Sequence, residues 1–299
     1  MNLLITGAWS HSEDQLNTIR SMGHHVILMQ QEKDDLPCSA DEIEGVICNG
    51  LFLYHDIGSF RSLRYIQLTS AGYDRVPLDY VGSHDIKLHN ARGVYSVPMA
   101  ECVVGGVLQL YKQSRFFYEN QKDKKWEKHR GLLELNGKTV LIVGCGSVGT
   151  ECAKRFGAFG CKVIGIDVAP YENGSFSEMM DYRMLDDALA ASDVTVLTLP
   201  LTAQTKDLFN AARLSRMKDG AVLVNVSRGS IVNEKALADA LEKNLFGAVI
   251  DVFEEEPLDE SSILWTKKNI IITPHNSFVS DGNAIRFFDV IVENLEKSR

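Results

Sequence analysis

Thr139-Val140-Leu141-Ile142-Val143-Gly144-Cys145-Gly146-Ser147-Val148-Gly149 is the stretch on which the reading of the fold turns. A strand candidate, Thr139 to Val143, runs straight into three spaced glycines, and these open a helical pattern that continues towards Phe159. In such a strand-loop-helix turn the first glycine permits the tight turn and the second lets backbone approach a pyrophosphate. The third lets helix and strand pack closely, while the helix N-terminus favours phosphate charge. Gly144, Gly146 and Gly149 hold those places, with Cys145, Ser147 and Val148 between them.

A carboxylate, Asp167, ends the next strand candidate at about the 20-residue spacing where it can accept hydrogen bonds from an adenosine ribose. Its charge would repel a 2'-phosphate, and Val168-Ala169-Pro170 supplies no arginine to bind one, so NAD is preferred to NADP. A turn or capping role is the plainer alternative for Asp167. Cys145 reads as a small loop residue, since no partner thiol is near it in sequence.

Outward from this loop, further strand candidates fall at Lys162 to Ile166, Val194 to Leu199, Ala221 to Asn225, Gly247 to Asp251 and Asn269 to Thr273, with helix-like segments between most of them. Six strands joined by right-handed crossovers make a doubly wound sheet. Before it, short apolar runs at Leu3 to Ile5, Val26 to Met29, Val46 to Cys48, Tyr65 to Leu68 and Ile86 to Leu88 describe a smaller α/β unit. Several of these runs lack alternation, as parallel strands covered on both faces require. One long helix is expected from Pro98 to about Tyr118, and an amphipathic one from Asp281 to Lys297, packing back on the first unit. The expected domains are 1–92 completed by 279–299, and 93–278.

The 299 residues are 45% hydrophobic and 24% charged, an ordinary globular composition with length for two unequal domains. A formal charge of −9 disfavours nucleic acid and acidic membrane surfaces as partners. The basic segment Lys122, Lys124, Lys125, Lys128 and Arg130 is interleaved with Asp123 and Glu127 and reads as solvated. No run has the length of a membrane span and the N-terminus lacks a signal-peptide pattern, so a cytoplasmic protein is expected. Six cysteines without a CxxC pair or a zinc spacing read as reduced thiols, with no metal.

Ligands of open α/β sheets bind beyond the carboxyl ends of the strands. Ionisable residues stand there in three places: Ser227-Arg228-Gly229, Asp251-Val252-Phe253-Glu254-Glu255-Glu256-Pro257, and Pro274-His275-Asn276.

At these residues the sequence resembles the D-isomer-specific 2-hydroxyacid dehydrogenase family, which includes phosphoglycerate, D-lactate, glycerate and formate dehydrogenases. The likeness also covers Ser70-Ala71-Gly72-Tyr73-Asp74, Pro98-Met99-Ala100-Glu101, Leu199-Pro200-Leu201-Thr202 and Asn225-Val226, so it spans roughly Leu63 to Phe278. It implies two doubly wound domains, a Rossmann NAD-binding domain and a smaller flavodoxin-like substrate domain, with the active-site cleft between them. It also implies interconversion of a 2-oxo acid and a D-2-hydroxy acid, of the 3-phosphoglycerate or hydroxypyruvate/glycerate type. By the resemblance Arg228 grips the substrate carboxylate and carbonyl, His275 exchanges the proton at the carbonyl oxygen, and Glu256, the glutamate directly before proline, orients the imidazole. The chemistry agrees: arginine forks a planar anion, and hydride transfer to a carbonyl needs a matching proton donor.

The resemblance further places Ala71 and Gly72 N–H groups, Tyr95 and Ser96 at the substrate. Pro200, Thr205, Val226 and Asp251 fall along the cofactor, with Asp251 at the carboxamide. It also makes the helix from Met99 to Tyr118 a homodimer element, through Val103, Val104, Val107, Leu108 and Tyr111. A buried intrachain face is the alternative for that stripe. Asn276-Ser277-Phe278 departs from the family's small residue and glycine after the histidine. Arg61, Arg64 and Arg75 leave a phosphorylated substrate open. Two other readings stand beside the enzyme: a catalytically inactive NAD-sensing protein, like the family's animal corepressors, and a formate-type dehydrogenase of the same fold.

Overall fold

The structure is a computed structural model that describes residues 1–298. Its contacts divide the chain between Tyr95 and Ser96. One unit is Met1–Tyr95 with the C-terminal stretch from Ser280, the other Ser96–Val279.

In the first unit β1 (Asn2–Thr6), α1 (Glu13–Ser21), β2 (His25–Met29), β3 (Gly45–Cys48), β4 (Tyr65–Leu68), α2 (Leu78–Ser83) and β5 (Lys87–His89) succeed one another. The five strands are all parallel, in the order β2-β1-β3-β4-β5. That is the flavodoxin-like doubly wound order. Side chains alternate across the sheet, so its two faces carry two cores. Leu4, Val46, Cys48, Ile66 and Leu68 pack with Phe60 and Val81 on one side. Leu3, Ile5, Ile47 and Tyr65 pack on the other with Leu16 and Ile19 of α1 and with Phe287, Ile291 and Leu295 of the C-terminal helix.

The second unit begins with α3 (Ser96–Tyr111) and α4 (Ser114–Lys122), where one long helix is expected. The break lies at Gln113, whose backbone is left-handed (φ 53) and whose side-chain amide donates to the Leu110 carbonyl at 3.3 Å. That conformation terminates a helix.

There follow β6 (Thr139–Val143), α5 (Ser147–Ala158), β7 (Lys162–Asp167), β8 (Glu178–Asp181), α6 (Leu185–Ala191), β9 (Val194–Leu197), α7 (Ala211–Leu214), β10 (Ala221–Asn225), α8 (Glu234–Lys243), β11 (Leu245–Ile250), β12 (Ile270–Ile272) and, back in the first unit, α9 (Asn283–Lys297). Seven parallel strands run in the order β12-β11-β10-β9-β6-β7-β8. The strand beyond the six expected is β8, an edge strand with a charged residue at each end.

Val140, Ile142, Val194, Val222 and Val249 point to the face covered by α3 and α5. Leu141, Val143, Ile164, Leu197, Leu223 and Ala248 point to the face covered by α6, α7 and α8. The strand order reverses between β6 and β9, which is the switch point where such sheets receive ligands.

The stripe expected at a dimer surface is elsewhere employed. Val103, Val104, Val107 and Tyr111 are buried against the chain's own core with Phe156 of α5 and Val249 of β11. An apolar helical stripe needs a covering face, and the sheet supplies it. Of the five residues named for that surface, only Leu108 is less than fully buried.

Candidate active site

The glycine loop is closely packed at Gly144 and Gly149 and open at Gly146. Gly144 has φ +95, a left-handed conformation that L side chains rarely adopt, and a Cβ there would lie 2.8 Å from the Leu199 backbone. At Gly149 a Cβ would meet the Gly144 carbonyl oxygen at 2.3 Å, so helix α5 lies directly on the loop. Around Gly146, the residue capping α5, a Cβ would meet nothing within 4 Å. The free space is thus at the helix N-terminus, where N–H groups and helix dipole favour an anion. Among residues of the segment, Ser147 and Val148 form the first turn of α5.

Asp167 ends β7 and braces the same loop. Its Oδ2 accepts the Cys145 N–H at 2.8 Å and its Oδ1 accepts the Ala169 N–H at 3.2 Å. Cys145 itself is buried, and burial next to the Asp167 charge pushes its thiol up to about 12. Pro200 and Thr205 are tied together, the Thr205 hydroxyl donating to the Pro200 carbonyl at 2.7 Å. Val226 is buried just beyond β10.

Arg228, Glu256 and His275 follow β10, β11 and β12, three neighbouring parallel strands of one sheet. Glu256 Oε2 lies 2.8 Å from His275 Nδ1. A carboxylate only accepts, so Nδ1 carries the proton and Nε2 is left for a substrate. Glu256 Oε1 in turn accepts the Phe253 N–H at 3.1 Å. Glu254 and Glu255 are exposed, and the contact to the imidazole separates Glu256 from them.

Arg228 Nη1 donates to the Ser227 carbonyl at 2.8 Å, and the Arg228 carbonyl accepts from Asn225. The next residue, Gly229, touches the Phe253–Glu254 peptide so closely that a Cβ would fall 1.8 Å from the Phe253 carbonyl carbon. No side chain fits between these two loops.

His275 is held in a left-handed conformation (φ 51), unusual for a non-glycine residue. Asp251 secures it. The His275 N–H donates to the Asp251 carbonyl at 2.7 Å, and the Asp251 carboxylate accepts from the Thr273 hydroxyl and from the N–H groups of Asn276 and Ser277. Asp251, expected at a cofactor carboxamide, is fully buried with its carboxylate committed to this turn. The sequence gives no sign of that bracing role beyond a carboxylate at a strand end. Phe278, where the family pattern is departed from, sets its ring edge-on to His275 at 6.1 Å.

In the first unit, Ala71 and Gly72 lie in the loop after β4, and their carbonyls accept from Asn90 and Ser70. Tyr95 donates its hydroxyl to the Thr69 carbonyl. Ser96 opens α3 and is buried, its hydroxyl without a hydrogen-bond partner among the described residues. Arg61 and Arg64 stand beside Asp41 and Glu44, at 3.8 and 2.7 Å.

Among the described residues no group of three His, Cys, Asp or Glu side chains is disposed to hold a metal, and no helix is long and apolar enough to cross a membrane.

Comparison with known proteins gives a consistent picture. Residues 104–277 match the family model described as D-isomer specific 2-hydroxyacid dehydrogenase, NAD binding domain. The chain is 31% identical over 242 residues to a glyoxylate reductase of Thermofilum pendens, covering 78% of this chain and 71% of that one. It is 31% identical over 235 residues to a D-lactate dehydrogenase of Treponema pallidum, covering 73% and 70%. Among solved structures, a D-isomer specific 2-hydroxyacid dehydrogenase family protein of Aeromonas salmonicida superposes with TM-score 0.83 at 33% identity over 99% of this chain and 95% of that one.

Proposed function

This chain belongs to the D-isomer specific 2-hydroxyacid dehydrogenase family and carries its NAD-binding domain, and from that premise we propose that it interconverts a small 2-oxo acid and the D-2-hydroxy acid, with NAD preferred to NADP. The observation that carries the proposal is the 2.8 Å contact between His275 Nδ1 and Glu256 Oε2, in the same sheet as a glycine loop with open space at its helix N-terminus.

The residues of the loop fit the cofactor: Gly144 to Gly149 would cradle its pyrophosphate, and Asp167 would meet its ribose, with Pro200, Thr205 and Val226 alongside. Bound NADH supplies the hydride for reduction. His275, as imidazolium, releases a proton from Nε2 to the carbonyl oxygen, and in the reverse direction neutral imidazole takes it back. Glu256 stabilises the cationic ring and fixes its tautomer. Arg228 forks the carboxylate, assisted by the N–H groups of Ala71 and Gly72, while Tyr95 and Ser96 border the substrate.

Relatives bear the names glyoxylate reductase, D-lactate dehydrogenase, hydroxypyruvate reductase and (S)-sulfolactate dehydrogenase. The substrate of this chain is therefore to be found by testing pyruvate, glyoxylate, hydroxypyruvate, 2-oxoglutarate, phenylpyruvate and phosphohydroxypyruvate with NADH and NADPH, and formate with oxidised NAD, in wild type and His275→Ala. The expected result is NADH-preferring turnover that the substitution abolishes. NADH binding without turnover on any acid would replace this proposal with the sensor reading, and turnover of formate alone with the formate-type one.

A homodimer in the cytoplasm is part of the same proposal. Its interface would use the exposed Tyr118 and Trp126 in place of the buried stripe of α3. Light scattering of wild type and of the Tyr118→Ala, Trp126→Ala double variant tests it.

A further inference from the structure

Two loops that follow different strands meet at one peptide bond. The Phe253 N–H donates to Glu256 Oε1 at 3.1 Å, the Phe253 carbonyl lies against Gly229, and the Glu254 N–H donates to Glu234 Oε1 at 2.8 Å. Glu234 is the first residue of α8, after the Asn233 cap, and is half-buried. We propose that Glu234 is a positioning residue for the His275–Glu256 pair: by accepting the Glu254 N–H it fixes the plane of the Phe253–Glu254 peptide from which Glu256 is aimed at the imidazole. This rests on the roles of His275 and Glu256 given above.

A peptide plane has two polar ends, and rotation about its flanking bonds moves both. Gly229 blocks one side sterically but offers no hydrogen bond to the Glu254 N–H. Glu234 supplies it. Without that acceptor the plane can rock, and the backbone leading on to Glu256 moves with it, while the Phe253 N–H of the preceding peptide, which holds Glu256 Oε1, stays in place. Misplacement of a catalytic group by about 1 Å can cost on the order of a hundredfold in rate.

The simpler role for an acid at this place is to complement the helix dipole of α8. Its surroundings oppose that. Burial pushes the Glu234 carboxyl up; the Glu254 N–H pulls it back down, but the charges of Glu254 and Glu255 raise it further. An acceptor is needed there, and a charge is not.

Two substitutions separate these roles. Glu234→Gln keeps an acceptor oxygen at full reach and removes the charge. Glu234→Asp keeps the charge at the helix N-terminus but is one methylene too short to hold the peptide. For the 2-oxo acid turned over by wild type, Glu234→Asp is expected to lower kcat about tenfold with KM for NADH unchanged, and Glu234→Gln to stay within about twofold of wild type. An activity-independent readout accompanies them: the downfield Nδ1 proton resonance of His275, identified by its loss in His275→Ala. It is expected to be sharp in wild type and Glu234→Gln and broadened in Glu234→Asp, with equal far-UV circular dichroism. Wild-type kcat and resonance in Glu234→Asp, or equal impairment of both variants, would overturn the proposal, as would absence of the resonance from wild type. Should wild type turn over no acid, the functional reading fails on its own, and the resonance still decides the role of Glu234.

Discussion

Both carboxylate oxygens of Asp251 face the backbone N–H of Ser277, at 3.2 and 3.1 Å, and through this contact a strand end governs the turn in which His275 sits. Asp251→Asn replaces one accepting oxygen by a donor among buried donors. It is expected to destabilise the protein by about 2 to 3 kcal/mol in guanidinium unfolding and, because His275 loses its anchored turn, to lower kcat about tenfold. An unchanged kcat in a folded variant would mean that the His275 N–H to Asp251 carbonyl bond suffices.

Glu256→Gln retains an acceptor for His275 Nδ1 but removes the negative charge beside the ring on which the proposed proton transfer relies. Steady-state kinetics are expected to show kcat reduced about 10- to 100-fold, while His275→Ala loses on the order of a thousandfold or more. Equal rates for Glu256→Gln and wild type would assign the glutamate a purely orienting role.

Asp167 braces Cys145, and in the proposed reading its charge is what discriminates against a 2'-phosphate. Asp167→Asn keeps a carbonyl for the Cys145 N–H. The ratio of kcat/KM for NADH over NADPH is expected to fall about tenfold, with thermal stability little changed. A ratio that does not move would place cofactor choice elsewhere.

Among the thiols, burial pushes Cys145 and Cys152 up to about 12 and Cys161 to about 11, and raises Cys48 as well. A raised thiol pKa means less thiolate at a given pH, about one part in a thousand or fewer for these groups at pH 8. Ellman titration of the folded protein is expected to detect at most Cys38 and Cys102, the half-buried pair, and all six after denaturation. Rapid reaction of further thiols in the folded state would contradict this burial.

Asp193 ties the start of β6 to the loop before β10, accepting from the Thr139 N–H at 2.9 Å and from Lys218 at 2.7 Å. Burial alone would raise its carboxyl, but the Lys218 and Thr139 contacts outweigh it and hold it below the usual carboxylate value. A depressed folded value contributes stability above the unfolded value and loses it as pH falls through the folded one. Asp193→Asn is therefore expected to cost about 1 to 2 kcal/mol at pH 7 in urea unfolding, with the gap to wild type closing below the usual carboxylate range. A gap independent of pH would refute the electrostatic account.

Much of this fold is legible in sequence because a parallel strand buried on both faces must be an unbroken apolar run, and Val140 to Val143 or Ala221 to Val224 can be little else. The glycine loop is legible because its spacing has a backbone cause. Edge strand β8 is not, since its Glu178 and Asp181 ends bury little and carry no period. Gln113 gives no warning of a left-handed helix end, because glutamine has no special tolerance for that conformation. The stripe on α3 shows apolarity without saying what covers it, and the answer is the chain's own sheet. At the site, residue types and family likeness name Arg228 and His275, but three adjacent glutamates look alike until distance to an imidazole separates them. The bracing by Asp251 and the hold of Glu234 on the Glu254 N–H depend on contacts between segments far apart in the chain, which no local pattern records.

The contact of Gly229 with the Phe253–Glu254 peptide constrains any redesign of these two loops. The segments around 225–234 and 251–256 are interlocked parts cut to one another, so a graft that carries the arginine loop into a homologous scaffold without its counterpart will not close. Libraries that randomise position 229 will return glycine, and the two segments are best transplanted as a single cassette.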